Sequence, residues 1–320
     1  MMMATFLAVA AGVLSALPLV IATSEPGSML LLLLAPLPLF AAGLAQGVIG
    51  TAIAGGTVLL IAAMLAGLLA ALGCLLFLVG PCLVLVRQAL LNRTAAAGAG
   101  GASGAPDLEW YPSGLLVTWL TGIGLVWLGI AIAILSGEPA GLSGTIRELL
   151  VTSFSVLVPQ LGQEQVNTLA DRMVGIALGV GLVGNLLMLA LNGVLAQGAL
   201  VSFGRNLRPS PDLLDMDLPG WIAPALAVAL AGAFLLSGDI GFVAKNLVPI
   251  LLLPFFFAGL AVVHAFARRS QAGGALLVLF YALLLILTWL AAFVILLGLF
   301  DQWANIRRRL QAAATGQEEE

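Results

Sequence analysis

The sequence predicts an all-α, polytopic transmembrane helical bundle of eight or nine spans, forming one transmembrane domain over about residues 1–310. Composition is the first reason: the chain is 62% hydrophobic and 8% charged, whereas soluble domains carry about 25% charged residues. The second reason is that apolar stretches near the ~20 residues needed to cross a bilayer recur along the chain. The sequence has no basic stripe of the kind that phosphate backbones require, so we expect no nucleic-acid partner.

Nine stretches have the length and composition of membrane spans. They lie at about 4–23, 30–47, 50–69, 71–91, 114–136, 173–202, 221–238, 243–267 and 273–299. Breaks between neighbouring spans are expected at 24–28, at 47–50 and near Gly73. Pro36 and Pro38 lie inside the second span, where each leaves a backbone carbonyl without its helical partner. Lipid offers no replacement partner, so we expect a bent or broken helix there, and again around Pro249 and Pro254 in the eighth span.

Three segments have another character. Residues 92–110 are rich in Ala, Gly and Ser, and this low complexity predicts a flexible loop. At about 145–170, apolar residues recur at helical spacing among polar ones, which predicts an amphipathic helix lying on the membrane surface. Residues 311–320 end in three glutamates and are expected to form a disordered acidic tail.

Arginine placement predicts the topology, with one conflict. Three pairs each follow a span, and two spans separate each pair from the next: Arg87/Arg93, Arg205/Arg208 and Arg268/Arg269. All three can therefore lie in the cytoplasm, which leaves the 145–172 segment outside. Only one span separates Arg269 from the arginines at 307–309. Either 273–299 is re-entrant or one cluster breaks the positive-inside rule.

The stretch "GNLLMLALNGVLAQG" at 184–198 places amides inside an apolar span. Asn185 and Asn192 fall within about 20° of each other around a helix, on a stripe that includes Gly181. One interpretation is that the amides hydrogen-bond across a helix–helix contact, for which small residues allow the close approach. The other is that they line a cavity for a polar solute.

The eighth span opens on Lys245 and Asn246. Lys245 is the only lysine, and it either reaches the headgroups or faces a cavity that accepts an anionic solute, with Asp239 as its expected counter-ion. The first span has small residues at four-residue spacing, the pattern of a helix-packing or partner-docking face. They are Ala4, Ala8, Gly12 and Ala16.

The residues needed for catalysis are missing from the sequence. It contains no Ser/His/Asp set, no HExxH motif, no P-loop and no Cys/His spacing typical of a metal site. Nearly every carboxylate, Asp301 included, falls in a loop or at the end of a span, whereas chemistry or proton coupling within a membrane needs an ionisable group at depth. We therefore expect no enzyme, no cofactor and no metal.

Several stretches together resemble the YybS-like family of bacterial multi-pass membrane proteins, a domain of unknown function. They are "APLPLFAAGLAQG", "NGVLAQGALVSFGRN", "DLPGWIAPALAVAL", "KNLVPILLLPFFFAGLAVVHAFARR" and "LGLFDQWANIRRR". Members of that family look like the substrate-binding components of energy-coupling-factor transporters. The resemblance implies that the small-residue face of the first span docks on a transmembrane coupling subunit linked to ATPases. The chain departs from those proteins by about three additional spans.

The favoured hypothesis is therefore recognition of a small solute for import, with energy supplied by a partner, in a bacterial inner membrane. Its candidate binding residues are Asn185, Asn192, Lys245 and Asn246. The competing hypothesis is a membrane scaffold or assembly factor without transport activity. In it, Gly181 and the face of the first span bind other helices, and the helix at 145–172 holds a periplasmic partner.

Overall fold

The computed structural model describes residues 2–22, 29–94, 108–307 and 309. These residues are helical almost throughout, which confirms the all-α prediction. The predicted break at 24–28 and the predicted acidic tail at 311–320 lie outside the described residues, as does most of the predicted loop at 92–110. The two described ends of that loop pair as a short antiparallel ribbon of β1 (Asn92–Thr94) and β2 (Leu108–Trp110).

The helices follow one another with short connections. In chain order they are α1 (Met2–Ala22), α2 (Met29–Leu32), α3 (Pro36–Gln46), α4 (Val48–Cys74), α5 (Gly80–Ala89), α6 (Ser113–Leu135), α7 (Gly141–Leu157), α8 (Gln163–Met173), α9 (Ala177–Ser202), α10 (Ile222–Leu235), α11 (Gly238–Arg268), α12 (Gly273–Ile286) and α13 (Leu290–Ala304). A π-helical turn, Leu75–Val79, joins α4 to α5 without interruption.

Five helical segments of the described chain are long and apolar enough to cross a membrane. They are Met2–Leu19, Val48–Ala89, Ser113–Leu135, Ala177–Ser202 and Gly238–Arg268. The apolar helices α10, α12 and α13 are shorter, at 14, 14 and 15 residues. The protein is thus an all-α helical membrane bundle in which several of the predicted spans are broken.

The predicted second span, 30–47, is two helices instead of one. The chain turns at 33–35 between α2 and α3, directly before Pro36, as the two missing N–H groups led us to expect. With 11 residues, α3 is about 16 Å long, well short of the ~30 Å hydrocarbon core. This segment therefore does not cross a bilayer as one continuous helix.

The predicted boundaries around the third and fourth spans are half correct. Gly47 ends α3 with a φ of 83°, which confirms the break expected at 47–50. The break expected near Gly73 is wrong: the interruption lies at Gly67, where φ is again 83°, and the helix continues through Gly73. Both positions need glycine because residues with a Cβ rarely adopt this left-handed region.

The predicted amphipathic helix at 145–170 is a helical hairpin. Helices α7 and α8 are separated at 158–162, a stretch that contains Pro159. Arg147 Nε donates to Asp171 Oδ1 at 2.5 Å and ties the two arms together. The side chain of Gln165 accepts the Gly162 N–H at 3.1 Å, which satisfies one of the free donors at the start of α8.

The predicted ninth span, 273–299, is interrupted in the structure, which leaves open the re-entrant alternative stated for it. The chain breaks at 287–289 into α12 and α13, of 14 and 15 residues, each about 21–23 Å long. Neither helix matches the ~30 Å hydrocarbon core, so this segment has the form of a helix–turn–helix.

The chain divides into two compact units. The first comprises 1–112 and 185–211, and the second comprises 113–184 and 212–320. In the second unit α11 is central and packs against α6, α10 and α13. A Cβ on Gly298 would overlap the carbonyl oxygen of Phe255, and one on Gly259 would overlap that of Val294. The backbones of α11 and α13 therefore meet with no room for side chains.

Candidate functional site

A buried ion pair lies at the end of α13 in the second unit. Asp301 and Arg307 are only 3% and 7% exposed. Asp301 Oδ2 accepts a hydrogen bond from Arg307 Nε at 2.6 Å, and Oδ1 accepts the backbone N–H of Arg307 at 3.0 Å. Asn305 makes this possible, since its left-handed conformation (φ 50°) ends the helix and turns the chain back.

The same guanidinium binds a second part of the unit. Arg307 Nη1 donates to the carbonyl of Met216 at 2.6 Å. Met216 lies in the connection between α9 and α10 and is buried against Ala258 and Ala261 of α11. The pair thus fastens the end of α13 to this connection.

An open cleft of about 320 Å³ lies beside the pair. Its walls are Leu214, Asp217, Leu218, Asp301, Gln302, Asn305 and Arg307. The lining offers a guanidinium, two carboxylates and two amides, in a protein whose candidate membrane-spanning helices are almost entirely apolar. Such a set can bind a small molecule that carries both hydrogen-bond donors and acceptors.

Sequence reasoning missed this site because it treated Asp301 as a carboxylate at the end of a span. A spacing of six residues does not place Asp301 and Arg307 on one face of a continuous helix. Asn305 was the available signal, because asparagine is one of the few residues that end helices in the left-handed conformation.

Asn246, a predicted binding residue, is fully buried in the second unit and already has its partners. Its Oδ1 accepts the N–H of Gly179 at 2.8 Å, and its Nδ2 donates to the carbonyls of Gly175 and Phe242 at 3.0 and 2.8 Å. Gly179 is in the first turn of α9, whose N–H groups have no intrahelical acceptor. Asn246 therefore caps α9 from the neighbouring helix.

Lys245, the predicted binding residue next to Asn246 in the sequence, is exposed. The expected ion pair with Asp239 is not formed among the described residues, because the four salt bridges there involve other groups. Asp239 is also exposed, so both charges are open to their surroundings.

Asn192, in the first unit, supplies a hydrogen bond to a backbone carbonyl at the break in a helix. Its Nδ2 donates to the carbonyls of Leu33 and Met188, at 2.7 Å in each case. The Leu33 carbonyl lies at the break between α2 and α3, where it has lost its helical partner. Asn192 Oδ1 is buried without a partner, and Asn185 is half-buried with no side-chain hydrogen bond in the described structure.

The small-residue face of α1 packs inside the first unit. Ala8, Gly12 and Ala16 are buried, and a Cβ on Gly12 would overlap the carbonyl oxygen of Ala54 in α4. Ala4 is exposed. Gly181 is also exposed, with open space where a Cβ would be. Helix α4 therefore occupies most of the face that the resemblance assigns to a coupling subunit.

Arg208 is a second buried arginine, in the first unit, and has no carboxylate partner among the described residues. It donates from Nη1 to the Ala89 carbonyl and from Nη2 to the Tyr111 carbonyl, at 2.8 Å each, and its guanidinium lies 5.9 Å from the centre of the Trp110 ring. Ala89 ends α5, where unpaired carbonyls and the helix dipole favour a cation. Burial lowers the pKa of the Arg208 guanidinium.

Arg268, at the end of α11, binds the same connection between α9 and α10 as Arg307 does. Its Nη1 donates to Asp212 Oδ2 at 2.8 Å, and this bond holds the pKa of Asp212 below its usual value. Asp212 and Met216 are four residues apart, and four extended residues span at most about 14 Å. Arg268 and Arg307 therefore bind neighbouring points of one segment. In the described part of the chain, no cluster of His, Cys, Asp or Glu is placed to hold a metal ion.

Comparison with known proteins agrees with the fold at a coarse level. Residues 158–302 match the model of a family described as "Predicted membrane protein (DUF2232)". The match covers just under half of the chain and includes Asp301 and Gln302 of the cleft, whereas Arg307 follows it. Neither the curated proteins nor the solved structures gave a match. The match supports a membrane protein of unknown function, and the finer resemblance to YybS-like proteins stays a prediction.

Proposed function

We propose that the chain recognises a small acidic solute for import across a bacterial inner membrane, with energy supplied by a partner, and that it acts by binding and not by catalysis. The observation that carries this proposal is the buried Asp301–Arg307 pair beside a polar cleft. A charged pair withdrawn from water in an apolar protein is costly, and such pairs commonly mark solute or ion pathways.

The free groups of the cleft suggest the class of solute. Arg307 uses Nε and Nη1 on the protein, while Nη2 makes no hydrogen bond within the described chain. Gln302 and Asn305 present amides beside it. A carboxylate or phosphate is the natural complement of the guanidinium, and the carboxylates of Asp217 and Asp301 in the lining favour a solute that also carries hydrogen-bond donors. The cleft volume of about 320 Å³ is at the small end of ligand sites.

The predicted binding residues take other roles in this proposal. The polar atoms of Asn246 are occupied by backbone groups, and Asn192 donates to two carbonyls. Both amides therefore connect helices, and the proposed solute site is the cleft at the end of α13 instead.

The test uses purified protein in lipid nanodiscs and a panel of small carboxylates and phosphates, with thermal stabilisation as the readout. We expect at least one member to stabilise the native protein, and Gln302→Leu or Asn305→Gly to weaken its binding about tenfold. Asn305→Gly keeps the left-handed turn available while removing the amide. Gln163→Leu, an exposed change on α8, is the matched control and should bind as the native protein does. The proposal fails if no member of the panel stabilises the native protein, or if both cleft variants bind unchanged.

The same geometry suggests a topology. Because Arg268 and Arg307 bind one connection, we infer that 273–304 is re-entrant and that the Arg268/Arg269 pair and Arg307 lie on one side of the membrane. Single cysteines at positions 271 and 312 should react with an impermeant reagent from the same side of oriented vesicles. Labelling from opposite sides would overturn the inference.

The scaffold alternative is favoured by α12. None of its 14 residues is buried, and all are apolar apart from Tyr281. In a scaffold, this helix would bind a helix of another membrane protein through van der Waals packing. Under that hypothesis, Leu285→Trp on α12 or Gly181→Leu on α9 would release a co-purifying membrane protein while leaving solute binding unchanged. The scaffold hypothesis fails if no membrane protein co-purifies, or if both variants retain the one that does.

A further inference from the structure

We propose that α7 is an interfacial anchor: its first half is seated on the ends of three membrane helices, and its last two turns lie in contact with lipid. This inference concerns a different part of the second unit from the cleft and does not depend on solute binding.

The seat of α7 is formed by the ends of neighbouring helices. Leu142 and Ile146 of α7 are buried in a cluster with Phe242, which lies near the start of α11. Partly buried residues complete the cluster, among them Ile132 and Leu135 at the end of α6, Ala177 and Leu178 at the start of α9, and Val243. Helices α6, α9 and α11 are all candidate membrane spans. The face of α7 that contacts their ends is therefore directed toward the membrane.

The apolar face continues along the whole of α7. At about 100° per residue, Val151 falls at about 140° from Ile146, whereas the other five later apolar residues fall within about 80° of Ile146 around the helix. They are Leu149, Leu150, Phe154, Val156 and Leu157. The polar residues Arg147, Glu148, Thr152 and Ser155 fall at about 100° or more from Ile146. This division is typical of a helix that lies in a membrane interface.

Ser153 is the one hydroxyl in the second half of the apolar sector, whereas Ser143 lies in the first half. The Oγ of Ser153 donates to the carbonyl of Leu149 at 2.8 Å, so the helix itself satisfies the donor. The sector can therefore meet a lipid environment without leaving this donor unpaired.

The second half of this face is largely exposed in the described chain, although Leu150 packs against the buried cluster. Leu149, Val156 and Leu157 are 55%, 74% and 63% exposed, although they continue the face on which Leu142 and Ile146 are buried. The first half of this face packs on the ends of α6, α9 and α11 and so points toward the membrane. The second half lies on the same side of α7, beyond those helix ends, and therefore also points toward the membrane. Lipid is thus the occupant that the geometry favours.

The second arm of the hairpin lies on the water side. Arg147, about 100° from Ile146 around α7, pairs with Asp171 of α8 and holds α8 beside the polar sector. Helix α8 exposes Glu164, Thr168 and Arg172. The hairpin therefore presents an apolar arm to lipid and a polar arm to water, and the pair between them sets its rotation.

The test places an environment-sensitive fluorophore on single cysteines in the full chain, with Cys74 and Cys82 replaced by alanine. The labelled positions are Leu157→Cys and Leu149→Cys on the apolar face, with Ser155→Cys as the matched control on the polar face. The protein is studied in nanodiscs of phosphatidylcholine and phosphatidylglycerol, with spin-labelled lipid and aqueous iodide as the two quenchers.

We expect lipid quenching at 157 and 149 to exceed that at 155 at least threefold, and iodide quenching to show the reverse order. Quenching of 157 by iodide at the level of 155 would place the face in water and overturn the proposal. Protection of 157 from both quenchers would also overturn it, because a second copy or another protein would then cover the face. If replacing the buried Cys82 prevents folding, native Cys82 is kept and only the exposed introduced cysteines are labelled, and the same outcomes decide the question.

Discussion

The two compact units of this protein differ in whether their buried polar side chains have hydrogen-bond partners. In the second unit, Asn246, Asp301 and Arg307 all have hydrogen-bond partners of good geometry. In the first unit, four buried side-chain atoms of the described residues have none: Ser15 Oγ, Thr51 Oγ1, Asn192 Oδ1 and Arg208 Nε. No such atom occurs among the described residues of the second unit.

This difference indicates that buried polar groups have different roles in the two units. In the second unit the polar groups join helix ends and connections, so each one contributes to the structure. In the first unit each unpaired atom costs about 1–3 kcal/mol. Native proteins keep such groups where ordered water or a polar ligand reaches them. The first unit is therefore the place to look for internal water, and the second is where removing a polar group should cost most.

The largest effect should come from breaking the buried ion pair. Asp301→Leu leaves Arg307 buried without its anion, and we expect the free energy of unfolding to fall by about 3–5 kcal/mol. Titration with SDS in mixed micelles measures this change. The double variant Asp301→Leu/Arg307→Met removes both charges and should recover most of the loss. A single variant as stable as the native protein would show that the pair is not buried.

Two asparagines of equal burial give the next test. Asn246→Leu leaves both the Gly179 N–H and the Gly175 carbonyl unpaired, so it should cost about 2–4 kcal/mol. Asn192→Leu deprives Leu33 of a donor but also removes an unpaired oxygen, and should cost about 1 kcal/mol. The same SDS titration compares them, and equal losses would contradict the difference between the units.

A smaller effect is expected from two buried threonines. Thr51→Val in the first unit removes an unpaired hydroxyl, so the free energy of unfolding should stay constant or rise by up to about 1 kcal/mol. The control is Thr121→Val in the second unit, where the hydroxyl donates to the Val117 carbonyl at 2.9 Å and its loss should be destabilising. A marked destabilisation by Thr51→Val would reveal a water or solute bound to that hydroxyl.

The smallest effect should be the pH dependence of the Asp212–Arg268 bridge. The hydrogen bond from Arg268 lowers the pKa of Asp212 in the folded state. A depressed carboxyl pKa contributes stability above the unfolded-state pKa, and this contribution is lost as pH falls through the folded-state value. Because both side chains are largely exposed, we expect less than about 1 kcal/mol. Unfolding measured from pH 7 to pH 3 should show a shallower decline in Asp212→Asn, and an unchanged slope would mean that the bridge does not form.

Local sequence signals predicted some elements well. Pro36 and Pro38 predicted the broken helix because a missing N–H acts at its own position, whereas Pro249 and Pro254 lie inside α11, which continues from Gly238 to Arg268. At the break before Pro36, the sequence also required a partner for the carbonyl that was set free. That Asn192 supplies this partner could not be read from the chain, since Leu33 lies 159 residues away. Similarly, the apolar face of α7 was predictable from its spacing, whereas its seat on three helix ends was not.

By itself, the sequence determined that this is an all-α membrane protein, because hydropathy and the helical repeat are properties of each local stretch. The tertiary structure alone decided which polar residues are structural and which remain open, because a hydrogen bond depends on the position of both partners. Thus Asn246 became a helix cap, while Asp301 and Arg307, which local reasoning placed at a span end and in a terminal cluster, became a buried pair. The left-handed turn at Asn305 and the packing of α13 on α11 bring these two charges together.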